Sequence, residues 1–129
     1  MARRRSRTFT EVELEFMQVL WSAGEATPED IQDELTAKGH PLTGGSIRNV
    51  LAILTEKGYI ARRKSGKTYL YTANVREEQA KKSVVQDILS RVFGGSESMM
   101  VAALLKNRDI NCKELEEIER LIADHKTEE

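Results

Sequence analysis

The sequence predicts a mainly α-helical protein with a small β-hairpin wing: an N-terminal winged helix-turn-helix domain followed by a C-terminal domain of three helices. Three observations lead there. Thr43 to Gly58 (TGGSIRNVLAILTEKG) places Ile47, Val50, Leu51 and Leu54 at the i, i+3, i+4, i+7 spacing of one helix face. Immediately after it, Tyr59 to Lys64 and Lys67 to Ala73 alternate in the manner of two short strands around a Ser65-Gly66 turn. From Arg76 onward the composition changes to helix formers carrying three separate apolar stripes.

Taken in order, residues 1–8 are basic, lack periodicity, and read as a disordered arm. Thr10 and Glu13 make a capping box for a first helix that runs through Ala23, with Val12, Leu14, Phe16, Met17, Val19, Leu20 and Trp21 on a broad apolar face. Trp21 stays within that periodicity and reads as a core anchor. Thr27 caps a second helix, Pro28 occupies its first turn where a missing N–H costs nothing, and Ile31 and Leu35 point inward until Gly39 ends it. After His40-Pro41 comes the third helix, capped by Thr43 and closed by Lys57-Gly58. The second and third helices therefore form a helix-turn-helix pair, and residues 9–75 form one domain.

Residues 76–129 form the other. Val84, Val85, Ile88, Leu89 and Val92 make one stripe; Met99, Met100, Ala103 and Leu104 follow the Phe93-Gly94-Gly95 break; Leu115, Ile118, Leu121 and Ile122 make a third. Three short helices carry more apolar surface here than they can bury alone. That predicts either a two-fold dimer interface or a fold back onto the first domain. Val85, Ile88, Leu89, Val92, Met100, Leu104, Leu115, Ile118, Leu121 and Ile122 are the residues expected at the dimer interface, and Met99-Met100 is expected to fill core.

At 129 residues and 40% hydrophobic content the chain has no room for a large enzyme core. Net charge is only −1, so local clusters carry the information: Arg3-Arg4-Arg5-Ser6-Arg7 in the arm and Arg62-Arg63-Lys64 in the hairpin. A lone cysteine, Cys112, forms no intrachain disulfide and supplies no metal cluster, and neither His40 nor His125 has ligand-like neighbours in sequence. No phosphate loop, serine elbow or HExxH motif occurs. The expectation is a cytoplasmic protein that is not an enzyme, takes no cofactor, holds no metal and has no stable membrane association.

What remains is a DNA reader. Ser46, Arg48 and Asn49 lie off the buried stripe at the entry of the third helix, where they can face base edges. Gly44 and Gly45, lacking Cβ, can let the helix N-terminus approach a phosphate. Arg62, Arg63, Lys64, Lys67 and Tyr69 lie on the wing, whose tip can follow a duplex backbone. The candidate DNA contacts are thus Thr43, Gly44, Gly45, Ser46, Arg48, Asn49, Arg62, Arg63, Lys64, Lys67 and Tyr69. The alternative is a winged-helix protein-interaction subunit whose basic wing meets an acidic partner; the polar side chains at the helix entry favour DNA.

Three segments, Glu13-Leu14-Glu15-Phe16-Met17-Gln18-Val19-Leu20-Trp21, the Thr43 to Gly58 helix entered by Ser46-Ile47, and Gly66-Lys67-Thr68-Tyr69-Leu70-Tyr71-Thr72, occur in an order and spacing that resemble the penicillinase-repressor (BlaI/MecI/CopY) family. The resemblance runs from about Thr8 to the C-terminus. It implies a bacterial homodimeric repressor whose recognition helices read a palindromic double-stranded operator and block a neighbouring operon, of the β-lactam-resistance type. On the matching positions, Thr43, Ser46, Arg48 and Asn49 form the DNA-facing part of the recognition helix, and Lys67 is a basic wing residue. Gly44 stands where the family commonly has proline, which bears on helix entry and operator preference. Copper-responsive members carry a cysteine-rich C-terminal motif that Cys112 alone does not supply. Members paired with a membrane sensor-protease are cut at an Asn-Phe bond; Ala102-Ala103 stands at that place as the candidate regulatory cleavage position, so the same protease specificity does not carry over.

Overall fold

The computed structural model of the chain describes residues 9–106 and 109–128. The basic arm expected at residues 1–8 lies outside them. Among the described residues six helices and a three-stranded sheet follow in the order α1 (Glu11–Ala23), β1 (Glu25–Ala26), α2 (Pro28–Ala37), α3 (Gly44–Glu56), β2 (Ile60–Ser65), β3 (Thr68–Ala73), α4 (Glu77–Val92), α5 (Glu97–Lys106) and α6 (Cys112–Thr127). They divide into two compact units, one ending at Asp87 and the other beginning at Ile88, so the division falls inside α4. Among the described residues no single helix is long and apolar enough to cross a membrane.

Local chemistry sets the helix starts in the first unit. At α1 the Thr10 hydroxyl accepts from the Glu13 amide at 3.1 Å while the Glu13 carboxylate accepts from the Thr10 amide at 2.9 Å. Thr27 and Asp30 repeat the exchange at α2, with Pro28 in the first turn. Each exchange satisfies two amides that the helix leaves without partners. α3 ends in a Schellman motif: the Tyr59 amide donates to the Leu54 carbonyl, and the Gly58 amide donates to that of Thr55. Gly58 sits at φ 82°, the left-handed conformation this closure needs and a side chain would resist.

Phe16, Met17 and Leu20 from α1, Ile31 and Leu35 from α2, Ile47, Leu51 and Leu54 from α3, and Ile60 and Tyr71 from the sheet form one buried cluster. Trp21 packs against it half-buried, and its indole N–H donates to the Val75 carbonyl at 2.9 Å, closing α1 against the segment after the wing. One expected apolar position departs. In the first turn of α1 the buried place goes to Glu13, and Val12 is exposed. The Glu13 carboxylate can sit there because it accepts from the Lys57 ammonium at 2.9 and 3.0 Å, in addition to serving the capping box.

The hairpin is shifted by one residue from the expected turn. Ser65 pairs with Thr68, so Gly66 and Lys67 are the two central residues. Gly66 has φ 63° and Lys67 does not have positive φ, the type II′ pattern whose twist suits a two-residue hairpin. β1, too short to show in sequence periodicity, pairs antiparallel with β3 and makes the sheet order β1-β3-β2.

In the second unit the apolar stripes of α5 and α6 contribute no buried residue. Met99 was expected in the core and is 59% exposed, because among the described residues nothing buries that side chain of α5.

Candidate nucleic-acid interface

The site is built on α3. Buried Ile47, Leu51 and Leu54 fix one face of the helix against the core, which turns Gly45, Ser46, Asn49 and Ala52 outward. The turn into the helix is held by the side chain of Gln32, which donates to the Leu42 carbonyl at 2.9 Å. Thr43 is the N-cap: its hydroxyl accepts from the Ser46 amide at 3.1 Å and donates to the Ser46 hydroxyl oxygen at 3.1 Å. Ser46 therefore keeps its own hydroxyl proton to offer outward. Thr43 does its work as a cap.

The wing divides the basic run by strand periodicity. Arg62 stands opposite Tyr71 and Lys64 opposite Tyr69, so these four share one face of the sheet, the face on which Tyr71 is buried. Arg63 lies on the other face, opposite Leu70, and its guanidinium is 3.2 Å from both carboxylate oxygens of Glu25 on β1. Arg62 instead stacks over the diagonal Tyr69 ring, its guanidinium carbon 4.2 Å from the centroid. Lys67 is at the hairpin tip, exposed.

Between α3, the first half of α2 and the wing runs an open groove of about 690 Å³, lined by Gly44, Arg48 and Ala52 along α3 and by Arg62, Lys67 and Tyr69 from the wing. Two carboxylates, Glu29 and Glu56, also line it. Of the eleven candidate DNA contacts, the groove thus gathers Gly44, Arg48, Arg62, Lys67 and Tyr69. Gly45, Ser46 and Asn49 lie on the outward face, Thr43 at the cap, Lys64 beside Tyr69, and Arg63 behind the sheet. Sequence reasoning missed the involvement of Gln32 and the Arg62–Tyr69 stack. The second was accessible from the alternation of the hairpin once the turn was placed at Gly66-Lys67.

The residues expected at a dimer interface are spread along α4 to α6. Val85, Ile88, Val92, Leu104, Leu115, Leu121 and Ile122 are exposed, and Leu89, Met100 and Ile118 are half-buried. Ala102 and Ala103 lie inside α5, half-buried. Among the described residues no group of three His, Cys, Asp or Glu side chains is placed to hold a metal ion. Exposed His40 is held by the Glu15 carboxylate.

A family model described as penicillinase repressor matches residues 9–124. The penicillinase repressor of Staphylococcus aureus is 28% identical over 112 residues, covering 87% of this chain and 88% of that protein. That of Bacillus licheniformis is 26% identical over 117 residues and 91% of each chain. The solution structure of the DNA-binding domain of the repressor BlaI superposes with a TM-score of 0.50 at 25% identity, covering 58% of this chain and 90% of that one. Oxidised MarR from E. coli superposes with a TM-score of 0.54 at 20% identity over 90% of this chain and 74% of that one, a likeness of fold. The winged-helix fold and the match over nearly the whole chain agree: the protein belongs to the penicillinase-repressor family.

Proposed function

We propose that the chain is a DNA-binding transcriptional repressor that acts as a homodimer on a two-fold symmetric operator. The observation that carries the DNA reading is the pairing of an outward polar helix face, Gly45, Ser46 and Asn49, with a basic wing standing beside it across a groove. A helix presented in this way enters a major groove with its N-terminal residues at base edges, while wing cations neutralise phosphates. Supporting the dimer, Val92 at the end of α4 is 67% exposed, and Leu121, 59% exposed, sits on α6, a helix without a buried side chain. A second copy meeting the same stripes would remove that apolar surface from water. The domain organisation proposed with it is residues 9–75 for DNA and 76–129 for assembly.

Selection of binding sites from random duplexes tests this. The expected outcome is an inverted repeat whose half-sites are spaced about one or two helical turns, ~34 Å each. Recovery of a single unrepeated site would overturn the dimeric operator. Recovery of no duplex, with binding to an acidic protein instead, would favour the protein-interaction reading.

A further inference from the structure

Resting on the DNA-binding reading, we infer that Arg48 and Arg62 grip the phosphate backbone rather than reading bases, and that Gly44 and Tyr69 are the positioning residues that hold them there.

Arg48 follows the cap by five residues and precedes Asn49, so helix geometry sets it about 100° around α3 from that outward side chain. It therefore leaves the helix on the flank that lines the groove with the wing. Its guanidinium folds back over the first turn: a Cβ built on Gly44 would lie 3.6 Å from Nη1, 3.9 Å from Nη2 and 4.0 Å from Cζ. A methyl group fits at that distance, but anything longer would occupy the place of the guanidinium.

The electrostatics of that position point to an anion. α1 and α2 each carry two acids in the first turn, Glu11 and Glu13, then Glu29 and Asp30, complementing the positive end of the helix dipole. α3 has no acid there. It has a guanidinium laid over its N-terminal turn, like charge against like, an arrangement relieved when a phosphate oxygen arrives between them.

Arg62 reaches the same groove from the other side. Stacking on Tyr69 fixes the plane of its guanidinium and leaves the N–H edge open to a phosphate. Glu56 lies eight residues beyond Arg48 along α3, ~12 Å by helix rise. Arg48 thus stands at the N-terminal end of the α3 wall, beside the helix N–H groups that a phosphate would meet. Base reading is left to Gly45, Ser46 and Asn49.

The test uses the full chain, the selected operator duplex and a mixed-sequence duplex of equal length. Arg48→Ala is expected to weaken binding to both by the same factor. It should also flatten the slope of log affinity against log salt by about 1.8 for the dimer, about 0.9 from each copy, so that a fourfold rise in salt costs roughly 12-fold less affinity than in the parent. Gly44→Leu should reproduce that flattening and Gly44→Ala should not. Tyr69→Leu should flatten the slope as Arg62→Ala does, the double variant should be no flatter than Arg62→Ala alone, and Tyr69→Phe should behave as the parent. If Arg48→Ala instead erases preference at one base pair with an unchanged slope, Arg48 reads a base and the inference fails while the repressor reading stands. If Tyr69→Leu or Gly44→Leu leaves the slope untouched, that positioning role is refuted. If the parent binds neither duplex, the DNA reading itself falls.

Discussion

At the start of α1, one carboxylate does two jobs. Glu13 is within 3.0 Å of the Thr10 amide and of the Lys57 ammonium, and both charged side chains are nearly buried, at 6% and 10% exposure. Removing one member of such a pair leaves an uncompensated charge in the core, so Lys57→Ala should cost about 3–5 kcal/mol in denaturant unfolding. A cost under about 1 kcal/mol would mean that water or another cation reaches Glu13. The Thr10–Glu13 box was legible in the sequence because its partners are three residues apart. The Glu13–Lys57 pair spans 44 residues, and nothing in the pattern of either helix announced it. The same distinction holds in the wing. Arg62, Arg63 and Lys64 look like one charge run, yet strand alternation sends Arg63 to Glu25 and Arg62 to Tyr69, leaving the run with two roles.

Each element of the first unit was readable where its own residues dictate it. Caps at Thr10, Thr27 and Thr43 and the apolar stripe of α3 are local chemistry, and the helices begin as the caps require. The two-residue strand β1 was not readable, since Glu25 and Ala26 are too few to alternate, and they extend only because β3 supplies the partner. The hairpin turn depends on Gly66 at φ 63°. Gly66→Val forces a β-branched side chain into that region and should destabilise the unit by about 1–3 kcal/mol. Operator affinity should fall with it as the wing loses its register. Unchanged thermal stability would show that the turn tolerates a β-branched residue, and lost stability with unchanged affinity would show that the wing tip does not contact DNA.

Over the whole chain, the excess of apolar residues after Arg76 was visible as three stripes, but what covers them is not a property of one chain's sequence. The helices form with those stripes exposed, which is how half of an interface looks. Leu121→Asp places a charge on the exposed apolar stripe of α6, so, on the dimer reading, sedimentation should show monomers at concentrations where the parent is a dimer. Operator affinity should drop by the loss of the second half-site. A dimer that survives both Leu121→Asp and Ile122→Asp would place the interface on other helices.

Salt dependence of duplex binding by the intact protein is the most direct measurement on the repressor reading. A dimer presenting Arg48, Arg62 and Lys67 from each copy should lose affinity linearly in log salt with a slope steeper than about −4, since each neutralised phosphate contributes about −0.9. The selected inverted repeat should be held more tightly than a mixed sequence at every salt concentration. Absence of duplex binding at low salt, or binding with a slope near zero, would contradict the assignment of α3 and the wing to DNA.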